Sequence, residues 1–211
     1  MYRAPGDRSL ASLRKVRKAI NKRLRPETGN TVLRLAEQLI QEHTFAQWFV
    51  FEVVHHHQAA MEKLNSATLK RLGQHLSGWG EVDPFACYLS GPAWRENRIT
   101  DKQILQWATS SNRWWRRVAL VSTVALNNRA RGGSGDLDRT VLVCEQLKHD
   151  RDDMIVKALS WALRELTAHY PKELRKYLKH NSENLPARVL RELGNKLETG
   201  LKNPKKIHHG K

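Results

Sequence analysis

Apolar residues recur every third or fourth position along almost the whole of this chain, and no segment sustains the two-residue alternation of a half-buried strand between hairpin turns. That rhythm leaves one fold class, an all-α protein in which each helix buries a stripe of its surface. Leu10, Leu13, Val16, Ile20 and Leu24 mark a first amphipathic helix, followed by a break over Pro26–Asn30. Val32, Leu35, Ala36, Leu39 and Ile40 predict a helix ending near His43. Further helices are expected over Phe45–Val54, Leu64–Leu76 with Ser66 as N-cap, and Trp79–Leu89 interrupted by Pro84. Gly91-Pro92 reads as a chain break before Asp101–Thr109. Arg113–Leu126 and Met154–His169 are the clearest helices, with Leu137–Leu147 between them. Pro171 stops one helix and starts another to about Leu178, and a last helix covers Pro186–Leu197.

A displacement of about 40 positions lays Arg117-Val118-Ala119-Leu120-Val121 over Lys157-Ala158-Leu159-Ser160-Trp161, each on the second helix of a pair, which is the HEAT pattern. The expected architecture is an α-solenoid of HEAT-like helix pairs with a concave basic face. Residues 1–30 then form a basic N-terminal helix and linker, 31–200 the repeat domain and 201–211 a basic tail containing Lys202, Lys205, Lys206 and Lys211.

The net charge is +16 with 40% apolar residues, so a core can form and a polyanionic partner is implied. Nucleic acid comes first and an anionic membrane surface second. Residues 1–25 hold nine Lys and Arg (Arg3, Arg8, Arg14, Lys15, Arg17, Lys18, Lys22, Arg23 and Arg25) against Asp7 alone. Phosphate contact, a solvated face and an organelle-targeting segment all fit that stretch. No run reaches the ~18 apolar residues of a membrane helix, and no signal-peptide core follows the basic start. Cys87 and Cys144 lack metal-site or redox spacing and read as reduced thiols, so a cytoplasmic monomer without membrane contact is expected.

Few residues carry candidate chemistry. Trp79 and Asp83 are four apart and share one helix face, although Asp83 before Pro84 fits an N-cap equally. Lys157, Trp161 and Arg164 form a basic–aromatic–basic ladder suited to a phosphodiester ribbon; Trp161 among Leu159, Ala162, Leu163 and Leu166 also suits a core position. In Arg113-Trp114-Trp115-Arg116-Arg117 one indole is expected in the core, and the arginines read either as a phosphate clamp or as surface charge. His55-His56-His57 has no metal-ligand spacing, and Gly132-Gly133-Ser134-Gly135 lacks the Lys-Ser/Thr of a phosphate loop, so neither metal nor cofactor is expected.

Three blocks resemble the AlkD-like alkylpurine DNA glycosylases, the HEAT-like repeat family of DNA alkylation repair enzymes. They are Gly78-Trp79-Gly80-Glu81-Val82-Asp83, Asn112-Arg113-Trp114-Trp115-Arg116-Arg117-Val118-Ala119-Leu120 and Ile155-Val156-Lys157-Ala158-Leu159-Ser160-Trp161-Ala162-Leu163-Arg164-Glu165. The resemblance runs from about Phe45 to Leu197; the first forty residues look unlike the family's N-terminal helices, and Pro84 departs from its pattern. It implies that Trp79, Asp83 and Trp161 meet in a cleft as catalytic residues. It implies also that Arg117 holds the DNA backbone beside the lesion, with Arg113, Lys157 and Arg164 as further DNA contacts.

The implied activity is excision of cationic 3-methyladenine and 7-methylguanine from duplex DNA by a monofunctional N-glycosylase. An alkylated purine leaves neutral, so what needs stabilising is positive charge on the sugar. An ionised Asp83, favoured by a basic surround, and two indole faces would supply that. The competing readings are a non-catalytic HEAT-like nucleic-acid binder with Asp83 as a cap, and a protein-interaction solenoid with an acidic partner.

Overall fold

The structure is a computed structural model that describes residues 10–204. Arg3 and Arg8 of the basic start, and Lys205, Lys206 and Lys211 of the tail, lie outside the described residues. Among those residues there is no strand; helices joined by short turns account for the fold, and no helix is long and apolar enough to cross a membrane. The chain forms two compact units, one ending at His75 and the other beginning at Leu76. The basic first helix belongs to the same unit as the helices up to His75.

The first unit contains α1 (Leu10–Leu24), α2 (Gly29–Gln41), α3 (Gln47–His55), α4 (Gln58–Glu62) and α5 (Ser66–Leu72). Helix α2 starts at Thr28, whose hydroxyl accepts the Thr31 N–H. It ends in a left-handed turn at His43 (φ 50°), where the Thr44 N–H reaches back to the Leu39 carbonyl. Val32, Leu33, Ala36 and Ile40 of α2 are buried, as are Phe49, Val50, Phe51 and Val54 of α3, and these two helices form the core. One capping detail departs from the sequence reading. Helix α5 is capped by Asn65, not Ser66: Asn65 has the extended backbone an N-cap requires and its Oδ1 accepts the Thr68 N–H at 3.0 Å. His57 caps α4 through Nδ1, accepting the Ala60 N–H, while Nε2 meets the Leu24 carbonyl at 3.1 Å.

The second unit begins with a single helical run over residues 79–95. It comprises α6 (Trp79–Phe85), a π-helical turn (Ala86–Ser90) and α7 (Gly91–Arg95). Neither Pro84 nor Gly91-Pro92 ends it, contrary to the expectation. The Gly91 N–H bonds to the carbonyl of Ala86, five residues back, and this widened turn accommodates Pro92, which has no N–H to donate. Gly91 serves packing: a Cβ there would lie 2.5 Å from Ala125 Cβ and 2.7 Å from the Ser122 carbonyl oxygen. The run stops instead at Asn97 (φ 57°), with the Arg98 N–H bonded to Ala93 O at 2.8 Å.

Three helix pairs follow: α8 (Asp101–Ala108) with α9 (Arg113–Asn127), α10 (Leu137–Leu147) with α11 (Asp153–Leu166), and α12 (Pro171–His180) with α13 (Ala187–Thr199). The second helices α9, α11 and α13 pack side by side, and α8 lies against α10, which is the two-row stacking of HEAT-like pairs. Helix α9 is the hub. It carries an uninterrupted buried stretch from Arg117 to Asn127 and packs against α6, the π turn, α7, α8, α10 and α11.

The close approach at Gly91 is testable. Gly91→Ala is expected to cost about 1–3 kcal/mol of unfolding free energy from overpacking. Gly194→Ala, in α13 with open space around the new Cβ, is expected to gain up to about 1 kcal/mol from helix propensity. Denaturant unfolding of both variants measures the difference.

Candidate functional site

Helix α6 begins at Gly78, whose extended backbone lets the chain enter the helix without a capping side chain. Glu81 substitutes for the cap: its Oε2 accepts from the Ser77 N–H at 3.1 Å and the Ser77 hydroxyl at 3.2 Å, placing a carboxylate in the first turn where the helix dipole favours it. Val82 and Phe85 are buried, which turns Trp79 and Asp83 away from the core. Trp79 is 62% exposed, unusual for so large an apolar surface. Asp83 lies within the helix rather than at its start, so the N-cap alternative is excluded.

Asp83 is held by Arg117 of α9. The guanidinium donates from Nε to Oδ1 and from Nη2 to Oδ2, each at 2.8 Å, a bidentate geometry that fixes the plane of the carboxylate. Nη1 of the same arginine donates to the Met154 carbonyl in the first turn of α11. Arg117 is only 6% exposed, so its position is that of a clamp on Asp83 rather than of an open phosphate contact. It bonds to α6 and α11 from α9.

Trp161 stands on α11, two turns after Met154. Its indole N–H donates to Glu165 Oε1 at 2.8 Å, and Glu165 Oε2 accepts from Asn128 Nδ2 at 3.0 Å, so the ring is oriented by the end of α9. Trp79, Asp83 and Trp161 line one cleft of about 220 Å³, together with Gly80, Pro84, Cys87, Tyr88 and Arg131. Trp161, which spacing alone left between core and cleft, is half-buried with its ring at the cleft wall.

The remaining sequence candidates lie elsewhere. Lys157 is exposed and paired with Asp153 on its own helix. Arg113 is exposed, 3.4 Å from Asp152 and 5.1 Å from the Trp114 ring centre. Arg164 points into the α11–α13 interface: its Nε meets Ser160 Oγ at 3.2 Å and lies 3.8 Å from the buried Glu192, which accepts the Ser160 hydroxyl at 2.6 Å. Burial pulls the Arg164 guanidinium below its ordinary value, with Glu192 opposing. The anticipated ladder thus contributes only its central indole to the cleft.

Two lining residues escaped the sequence reading. Arg131 extends from a 3₁₀ turn (Arg129–Arg131) after α9, with its guanidinium 5.2 Å from the ring centre of Tyr88. The turn is closed by Gly132 in the left-handed region (φ 81°), and Arg95 Nη1 holds the Arg131 carbonyl at 2.8 Å. Gly132 and its neighbours, dismissed as a phosphate loop, instead fold back this arginine-bearing turn. Cys87 is buried beneath the cleft, and desolvation pushes its thiol up to about 12, so it is neutral and non-nucleophilic at physiological pH. Burial raises the Cys144 thiol as well. Among the described residues no group of three or more His, Cys, Asp or Glu side chains is arranged to hold a metal ion.

Two experiments examine this geometry. Arg117→Ala is expected to destabilise the protein by about 3 kcal/mol, because Asp83 loses its counter-charge in a largely desolvated position. Adding Asp83→Asn should cost less than the two single changes together, a coupling that a double-mutant cycle reads directly. A thiol reagent at pH 8 should find neither cysteine in the native protein and both after unfolding; rapid native labelling of Cys87 would contradict its placement.

The sequence model of a family described as DNA alkylation repair enzyme matches residues 8–197. The match begins well before Phe45, so the N-terminal helices, expected to depart from the family, fall within it. No curated protein matches the chain, and no solved structure matches it.

Proposed function

The chain belongs to the DNA alkylation repair enzyme family, and on that premise we propose that it is a monofunctional N-glycosylase. Its substrates are cationic alkylated purines in duplex DNA, 3-methyladenine and 7-methylguanine, and its product is an abasic site. The observation that carries this reading is the clamped Asp83 carboxylate in one cleft with the indoles of Trp79 and Trp161.

The chemistry suits the groups present. Alkylation at N3 or N7 makes the base a cation, so when the bond from C1′ to the base nitrogen breaks, the electron pair leaves with a base that is neutral. No general acid is required for departure. Positive charge develops on the deoxyribose, and a carboxylate already fixed by two charge-assisted hydrogen bonds stabilises it without reorganisation. Two electron-rich indole faces add a smaller share of the same kind. Water then bonds to C1′ and releases a proton to solvent, with Asp83 placed to orient it.

Arg117 is the positioning residue for Asp83 in this scheme. Arg131 is the cation that lines the cleft and suits a neighbouring phosphate. No lysine lines the cleft among the described residues and Cys87 is held protonated, which supports hydrolysis over a covalent lyase path. The +16 charge supports a polyanionic substrate, and two buried free thiols suit a reducing compartment such as the cytoplasm.

Incubation with methylated duplex DNA should release free 7-methylguanine and leave alkali-labile but unbroken strands. Asp83→Asn should lower single-turnover release by about a hundredfold or more while duplex binding persists. Trp79→Ala and Trp161→Ala should each lose about threefold to thirtyfold. Binding without release, or release unaffected by Asp83→Asn, would leave the non-catalytic binder as the correct reading.

A further inference from the structure

The basic first helix has no part in the cleft chemistry, yet most of its cations share one side, with Arg17 and Arg23 lying off that row. On α1, Arg14, Lys18, Lys22 and, just past its end, Arg25 follow at intervals of three or four residues, and Lys15 lies one step from that row. All five are exposed, and none makes an ion pair with any described residue. Lys18, Lys22 and Arg25 form one wall of a groove of about 680 Å³, whose opposite wall is His56, Gln58 and Glu62. Among the described residues Glu62 is the only carboxylate lining it, and Gln58 Nε2 donates to Glu62 Oε1 at 3.0 Å.

The opposite face of α1 is already used. Ile20 and Leu24 turn toward α3, where they line a small apolar cavity with Phe49, Val50, Val53 and Val54. Asn21 Nδ2 anchors the helix to the Val53 carbonyl at 2.9 Å. A helix that binds a membrane surface needs a free apolar face to bury among the acyl chains, and among the described side chains of α1 only Val16 is half exposed on that side. What remains available is a row of cations without an accompanying apolar face.

We infer that this face of α1, with the groove beside it, is a second nucleic-acid-binding surface that grips the phosphate backbone of duplex DNA independently of the cleft. From Arg14 to Arg25 the row covers roughly 16 Å at 1.5 Å per residue. A strand of B-DNA presents about five phosphates over that length, at 3.4 Å each. The groove admits one phosphate strand between Lys18, Lys22 and Arg25 on one side and His56 on the other. The contact carries no base recognition, so it binds damaged and undamaged duplex alike.

The test uses the full chain carrying Lys18→Gln, Lys22→Gln and Arg25→Gln together. All three sites are exposed, and an unchanged melting temperature checks the fold. Binding to undamaged duplex is measured across a salt series for this variant and for a control carrying Lys172→Gln, Lys176→Gln and Lys179→Gln on α12. The α1 variant should lose about 2.7 from the slope of log K against log salt, at roughly 0.9 per phosphate contact, and the control should lose less than 1. Equal losses in both, or no loss in the α1 variant, overturn the proposal. So does loss of binding to anionic phospholipid vesicles with duplex binding intact. Release of 7-methylguanine under saturating enzyme is read in parallel. A protein that shows the slope change but releases no base keeps this surface and loses the glycosylase reading, whereas the converse loses this surface alone.

Discussion

The Arg117 guanidinium is the point on which the second unit converges. It leaves α9 almost fully buried, grips both oxygens of Asp83 on α6, and reaches the Met154 carbonyl at the start of α11. A buried cation is costly to desolvate, and a carboxylate and a backbone carbonyl at hydrogen-bond distance offset that cost only if three helices keep their register. The clamp therefore ties the stacking of α6, α9 and α11 to the orientation of a single carboxylate. Each helix supports the contact by its own packing. Val82 and Phe85 bury one side of α6, Ile155, Ala158, Leu159 and Ala162 bury α11, and the buried stretch of α9 lies between.

The same tie shapes the cleft. Trp161 enters from α11 with its N–H fixed by Glu165, and Trp79 enters from the first turn of α6, so both indoles inherit positions from helices that Arg117 links. Arg131 lies over Tyr88 in the cleft lining, on a turn that Arg95 and Gly132 hold in place. Held groups of this kind stabilise charge without a reorganisation cost at the moment it develops. Beneath the cleft the Cys87 thiol is desolvated and held neutral.

Much of this was legible in the chain. The four-residue step from Trp79 to Asp83 put both on one helix face, and the family resemblance added Trp161 and Arg117 to the same neighbourhood. Other features were not legible, for identifiable reasons. Lys157 and Arg164 share a helix face with Trp161 by spacing. Spacing carries no information about what the face meets, and here Asp153 neutralises one while Glu192 and Ser160 draw in the other. Gly91-Pro92 read as a stop because local propensity treats both residues as breakers. In the fold, a π turn accommodates the proline and the glycine permits contact with Ala125.

Periodicity, charge and short-range spacing, which belong to the chain itself, determined an all-helical protein, its strongly basic character and the placing of an indole and a carboxylate on one helix face. They determine these because a helix repeats every 3.6 residues wherever it packs. Which cation holds Asp83, which tryptophan faces the cleft rather than the core, and which arginines are consumed in helix interfaces were decided only when the helices stacked. Those outcomes depend on partners 34 and 37 residues away, Asp83 for Arg117 and Asn128 for Glu165. Burial and the loss of water, which a linear pattern does not encode, set their strength.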